Sequence, residues 1–296
     1  FKKFKKKYND DDVFRVLIDS SFKKKGKLNY GEVVLKGKSK QEILISTYIC
    51  HPSMANNELS GPIVSMSLIN YFKKKKLNKT LRFVFIPETI GSIAYINKNL
   101  KQMKANICGG YNLSCIGDDR NHSCMLSKFE DSASDESLIE AYETLSIKYK
   151  KHSFLKRGSD ERQYSSPGID LPITSIFRTM YGQYKEYHTS LDDFSLVTYN
   201  GIKGGFNVAK KAIENLQKKI IPINKIICEP KLDKRNLYST LGTKSKERMI
   251  EPRKIINFLM YSNGRYSINK ISQVTNIKLE ESLRIYKLLK SRKVIE

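Results

Sequence analysis

The chain has 296 residues, with 54 Lys and Arg against 30 Asp and Glu, for a formal net charge of +24. That length bounds it to one large or two smaller domains with ample material for a core, and no apolar run approaches the roughly 20 residues that cross a bilayer. Five cysteines, scattered and never in CxxC spacing, argue against a disulfide framework or a cysteine-built zinc knuckle and fit a reducing cytoplasm.

The positive excess is nearly all lysine, in runs such as FKKFKKK and YFKKKKLNK with Asn, Ile and Tyr beside it. Arginine, the bidentate reader of phosphate and guanine, is scarce, so the charge reads as compositional bias on solvated faces. Neither nucleic acid nor a membrane is the expected partner. The chain opens on Phe1 with no signal-peptide pattern, and a longer parent, truncated on its N-terminal side, is expected.

In chain order, residues 42–50 form a short β-branched apolar run, as in a strand buried on both faces. Ser60-Gly61-Pro62 starts a helix, with Pro tolerated in the first turn. That helix is expected to turn Ile63, Met66, Ile69 and Phe72 inward. Strands follow at 81–86, 111–116 and 171–177, and helices at 93–100, 134–149 and 204–217. This alternation predicts an α/β fold, a mostly parallel sheet flanked by helices on both faces.

The composition shifts at residue 220. Residues 1–219 read as the α/β domain, 220–251 as a linker or extended segment, and 252–296 as a winged-helix-like domain with helices at 254–261, 267–275 and 280–291. Ser267 is the expected N-cap of the second of these, and Ile268, Ile271, Val274 and Ile277 its apolar stripe.

The polar residues concentrate where strands end. His51 follows the first strand, Glu88 the second and Asp118-Asp119 the third, and His188 lies beyond the fourth. Functional crevices of open α/β sheets lie outside the carboxyl ends of the strands. Two distant histidines, each beside carboxylates or amides, are the pattern of a zinc site assembled from several loops. Glu88 is the candidate general base, with a helix N-terminal carboxylate as the bland alternative. The stretch GSDERQYSSPG places Asp160, Glu161 and Arg162 in a loop suited to substrate contact, although Asp160 and Arg162 could equally form an ion pair holding it. Tyr187, beside His188, joins the substrate-contact candidates.

The motifs CHPSMANNELSG, IPETIGS, GSDERQY and EYHTSLDD resemble those of a bacterial zinc aminopeptidase-like family associated with polysaccharide-biosynthesis genes. The resemblance covers nearly the whole chain. It implies an aminopeptidase/phosphorylase-hydrolase-like fold, a C-terminal winged helix, metal positions at His51 and His188, and Glu88 near the base or ligand glutamate of the wider clan. The family typically reads Asn-Asp-Asn-Leu-Ser-Gly where this chain reads Asn56-Asn57-Glu58-Leu59-Ser60-Gly61. The bridging aspartate position is therefore Asn57, a neutral amide and a poor zinc ligand. The clan's paired glutamates stand here as Glu88-Thr89, and its later metal aspartate aligns with Ser114. One zinc rather than two is the expectation.

The resemblance thus implies a cytoplasmic zinc-dependent hydrolase acting on an amide bond of a small peptide or amino-acyl compound, with possible homo-oligomers through the C-terminal domain. The alternatives are an inactive homologue that binds a ligand in the same crevice, and a winged-helix regulator with a ligand-sensing α/β domain.

Overall fold

The computed structural model describes residues 2–235, 237 and 250–296; residues 236 and 238–249 of the expected linker lie outside the described residues. In chain order the elements are α1 (Lys2–Lys7), β1 (Gly31–Leu35), β2 (Glu42–Tyr48), α2 (Ser60–Phe72), β3 (Thr80–Ile86), α3 (Ile90–Asn106), β4 (Ile107–Leu113), β5 (Ser123–Met125), α4 (Ala133–Thr144), β6 (Lys150–His152), α5 (Glu161–Tyr164), β7 (Ile173–Phe177) and α6 (Tyr199–Lys218). The last three are α7 (Pro252–Met260), α8 (Ile268–Thr275) and α9 (Leu279–Ser291). No helix among the described residues is long and apolar enough to cross a membrane.

Among the described residues, seven strands form one sheet in the order β1-β3-β2-β4-β7-β5-β6. The centre is parallel, with β2 pairing β3 and β4, and β4 pairing β7. Antiparallel pairs β1–β3 and β5–β7 flank it. Every residue of β2, β4 and β7 is buried, which is why these strands read as continuous apolar or small-residue runs instead of alternating. One face is covered by α2, α4 and α6, whose Val64, Leu68, Leu138 and Val208 meet Ile43, Phe83 and Tyr111 of the sheet. On the other, Tyr95, Ile96 and Met103 of α3 and Tyr164 of α5 pack on Leu44, Val84 and Ile173.

The inward face expected for α2 holds at Phe72 and, half-buried, at Ile69, but not at the start of the helix. Ile63 and Met66 are exposed, while Gly61, Val64, Ser65, Leu68 and Phe72 are buried. Gly61 sets the rotation of that end. A Cβ there would stand 2.2 Å from Thr47 Oγ1 and 2.7 Å from the Leu113 carbonyl, so only glycine lets this turn lie flat on the sheet. Gly201 does the same for α6, since its Cβ would lie 1.9 Å from the Gly117 carbonyl. Thr198 caps that helix by accepting from the Gly201 amide at 2.9 Å, which starts it five residues earlier than the expected 204.

In the C-terminal winged helix, Ile255, Phe258, Ile271, Ile285, Leu289 and Val294 form a separate apolar cluster. Ser267 caps α8 as expected, and Ile268, Ile271 and Ile277 are buried, but Val274 faces solvent. The chain end pairs with an extended stretch after α6: Lys225 N donates to the Val294 carbonyl and Glu296 N to that of Ile223, both at 3.0 Å. Ser267 Oγ also donates to Glu136 of α4 at 2.6 Å, which ties the winged helix to the α/β part.

Candidate functional site

The turn between β2 and α2 is built by two carboxylates. Glu58 accepts from the backbone amides of Cys50 at 2.7 Å and His51 at 2.8 Å. Asp192 accepts from those of Asn56 at 2.6 Å and Asn57 at 3.0 Å. Together they satisfy amide donors that a tight turn would otherwise leave unpaired at the mouth of α2. Glu58 therefore points back towards His51, with 3.4 Å between Oε2 and Nδ1, and away from Asn57. Burial raises its carboxyl above the ordinary range, against the amide bonds that lower it.

Asn57 is the hub. Its Nδ2 donates to Tyr48 Oη at 2.6 Å and to Cys115 Sγ at 3.2 Å, which leaves Oδ1 to accept from His188 Nε2 at 3.1 Å. In this amide orientation His188 carries its proton on Nε2. Below it, Tyr48 Oη and Ser114 Oγ are 2.8 Å apart, and the Ser114 hydroxyl donates to Cys115 Sγ at 3.6 Å. All four residues are buried. Neutral hydroxyl, thiol and amide groups thus fill the ground beneath the histidines.

The rings of His51 and His188 have their centroids 5.1 Å apart. Tyr187 stacks on His188 at 4.0 Å and 15°, which holds the imidazole plane. His188 itself has φ +56°, so the loop turns sharply there and aims the ring back over Asn57.

Glu88 leaves β3 into an unusual turn. Thr89 has φ +64° and ψ −66°, a costly conformation for a β-branched residue that persists only where neighbours enforce it. They do so from α5. Asp160 Oδ1 accepts from Thr89 N and from Ser92 Oγ, both at 2.8 Å, and Arg162 donates to Thr89 Oγ1 at 2.6 Å. Ser159 Oγ donates to Glu88 at 2.5 Å. Thr89, the N-cap residue of α3, makes no side-chain capping bond. The Glu88 charge is felt in the same crevice: burial chiefly, then Cys115 and Glu88, push the Tyr187 phenol to about 12.

Several expected roles change. The stretch at 158–165 is a single helical turn, not an open loop, and Asp160 and Glu161 are buried in it. Glu161 accepts from Gly158 N, Ser159 N, Tyr181 and Asn112, so it shapes the turn and does not face the crevice. Asp160 and Arg162 grip Thr89 instead of pairing with each other. Burial raises the Asp160 carboxyl to about 7, and its Oδ2 has no hydrogen-bond partner among the described residues. Asp118 is also buried, accepting from Thr179 and Asn56, while Asp119 accepts from Thr198. The carboxylates after His188 divide likewise: Asp192 braces the Asn57 turn, and exposed Asp193 binds Ser195. Sequence reasoning weighed Glu58 only as a stand-in for the missing aspartate at Asn57, and left Asp192 and Cys115 without roles. The spacing of Asp192 behind His188 was the only available signal.

His51 and His188 are placed so that they could hold a metal ion between them. Two imidazole nitrogens bound to one tetrahedral zinc at about 2.1 Å would put ring centres about 5 Å apart, as His51 and His188 stand. Asn57 Oδ1 is the adjacent neutral donor. A second ion would need carboxylates where Ser114 and Thr89 stand. The cluster of Cys50, His51 and Glu58, whose ligand atoms lie within 4.8 Å of one another, is a poorer alternative. Burial holds the Cys50 thiol up at about 11, and the Glu58 oxygens are already bonded to amides.

A parallel-centred sheet between helical layers, with these groups at its strand exits, is the aminopeptidase-like fold, here joined to a winged helix. Residues 11–219 match the family described as Domain of unknown function (DUF4910), to which the chain belongs, and residues 220–296 match one described as winged helix-turn-helix. A Clostridium acetobutylicum protein, provisionally named a polysaccharide biosynthesis protein with aminopeptidase-like domain, is 37% identical over 233 residues. That match takes in 78% of this chain and 53% of the relative, so the chain spans about half the relative's length. The crystal structure of a provisionally named peptidase from the same organism has a TM-score of 0.63 at 29% identity, over 90% of this chain and 60% of that one. A zinc aminopeptidase from Bacillus subtilis has a TM-score of 0.55 at 15% identity, over 62% of this chain and 48% of that one. That last likeness is one of fold.

Proposed function

We propose that the crevice is a single-zinc hydrolase site acting on an amide bond of a small peptide or amino-acyl compound. The observation that carries this reading is the pair of histidine rings, 5.1 Å apart over Asn57 Oδ1, with Glu88 at the neighbouring strand exit. His51, His188 and Asn57 would hold the ion, which when bound supplies Lewis acidity and lowers the pKa of water.

The chain's own residues supply the rest. Ser159 occupies one oxygen of Glu88 and leaves the other without a protein donor among the described residues, free to take a proton from water and return it to the leaving amine. Asp160 and Arg162 fix the Thr89 turn and so aim Glu88. Tyr187 keeps the His188 plane from rotating. The reading includes a cytoplasmic location, given exposed free thiols at Cys50 and Cys228. It also treats the winged helix as an interaction module able to support oligomers, because α9 opens on Glu280 and Glu281, which repel phosphate.

One observation favours a second reading, an inactive homologue that binds a ligand here. Asn57 is neutral and its amide is saturated by Tyr48, Cys115 and His188. The test is zinc-loaded full chain against a panel of amino-acyl amides. Turnover that falls about 100-fold or more in Glu88→Gln, with zinc retained, supports the hydrolase. Zinc binding with no turnover on any substrate moves the reading to ligand binding.

A further inference from the structure

The parallel strands also have an N-terminal edge, opposite the crevice, and it carries a second cavity. The space, about 670 Å³, lies between the turns entering β2 and β3, the end of α6, and the last helix and chain end of the winged helix. Its lining includes eight lysines and one carboxylate, Glu296.

The lysines are not equivalent. Lys79 is buried and its Nζ donates to the carbonyls of Leu216 and Lys219, capping the end of α6. That cap neutralises the negative pole of the helix dipole, which would otherwise face an anion in the cavity. Lys219 pairs with Glu136 and Glu140. Lys225 reaches Glu296 at 3.7 Å. Lys38, Lys40, Lys218 and Lys293 have no carboxylate partner among the described residues, and Lys290 meets only the Tyr286 hydroxyl at 3.0 Å. Five exposed lysines with no carboxylate partner among the described residues thus line one concave space. A cleft lined by one sign of charge raises the local concentration of anions. Tyr286, Ile220 and Ile295 add an apolar wall.

We infer that this cleft binds a small phosphorylated ligand carrying two or more linked phosphates. The ligand bridges Lys38, Lys40 and Lys218 of the α/β part to Lys290 and Lys293 of the winged helix. It therefore stiffens the joint between them, and it does not depend on the zinc site.

The test is calorimetric titration of the full chain at about 150 mM salt, with inorganic triphosphate as the probe and adenosine triphosphate beside it. Salt at that level screens diffuse surface attraction, so a general effect of the +24 charge is suppressed. Saturable binding of one triphosphate per chain is expected. The triple variant Lys40→Gln, Lys290→Gln and Lys293→Gln should weaken it by about tenfold or more. A matched triple variant outside the cleft, Lys98→Gln, Lys101→Gln and Lys203→Gln, should change it by less than about twofold. Tighter binding of the nucleotide would show that the apolar wall takes an organic group, and binding of either triphosphate through the cleft supports the site. Equal weakening in both triple variants would overturn it, as would triphosphate binding no tighter than sulfate at matched ionic strength. A duplex oligonucleotide bound through the cleft lysines while triphosphate is not would also overturn it. Thermal melting of both variants confirms that each remains folded.

Discussion

Replacing Asp160 by Asn should remove a pH dependence of stability that the buried carboxyl imposes. Asp160 lies fully buried beneath the Glu88 turn, and burial raises its pKa to about 7 from the ordinary 3.8. Below pH about 4 the carboxyl is neutral in both the folded and unfolded chain. As pH rises towards 7 the unfolded chain releases its proton while the folded chain keeps it, so the unfolded state gains and stability falls. Above pH about 7 the loss is complete. At 1.36 kcal/mol per pKa unit, a shift of about three units corresponds to on the order of 4 kcal/mol. Asn keeps an oxygen to accept from Thr89 N and Ser92 Oγ and carries no charge to desolvate. The assay is urea unfolding of both proteins from pH 4 to 8. The difference between variant and wild type should swing in the variant's favour across pH 4–7 and then level off. The swing itself is the signature, since an orphaned amide N–H in the variant adds a constant cost of about 1–3 kcal/mol. A pH-independent difference would refute the reasoning.

Asn57→Asp should raise zinc affinity by about tenfold or more, because a carboxylate restores a charged ligand at the hub; unchanged affinity by competition with a chelator dye would remove Asn57 from the site. Tyr187→Ala should leave the fold intact and weaken zinc binding a few-fold, about 1 kcal/mol, by freeing the His188 ring that it stacks on at 4.0 Å. Gly201→Ala should fail to reach the wild-type fold or lose several kcal/mol, roughly 3 or more, since its Cβ would meet a carbonyl oxygen at 1.9 Å; a melting temperature within a few degrees of wild type would show that α6 can shift away.

The central strands and the winged helix were legible because burial on both faces and helical periodicity both leave a local pattern. The expected strand at 42–50 and the observed Glu42–Tyr48 agree within the usual fraying. The flanking strands β1, β5 and β6 were not legible. Two have three residues each, SCM and KKH, and β1 is mostly exposed, so their pairing partners decide them. The start of α2 was misread because Ile63 and Met66 are more apolar than Ser65, yet the close approach at Gly61 outranks apolarity. The strand-exit rule pointed to His51, Glu88 and His188, and the structure places the two histidine rings 5.1 Å apart. Asn57 and Ser114 were singled out by the motifs, but their bonding to Tyr48 and Cys115 was invisible because it joins distant positions through neutral groups. The buried state of Asp160 and Glu161 was missed for the opposite reason: a charged stretch reads as solvent-facing, although here Glu161 accepts from amides of its own turn and Asp160 from Thr89 and Ser92 of the neighbouring one.

The central claim is that His51 and His188 share one metal ion, and zinc stoichiometry tests it most directly. Equilibrium dialysis of the full chain against buffered zinc, read by elemental analysis, should give about one ion per chain in the wild type. The same measurement should show that site emptied in the variant carrying both His51→Ala and His188→Ala, with the fold preserved by circular dichroism. Two ions per chain, or one ion retained by the double variant, would contradict the account.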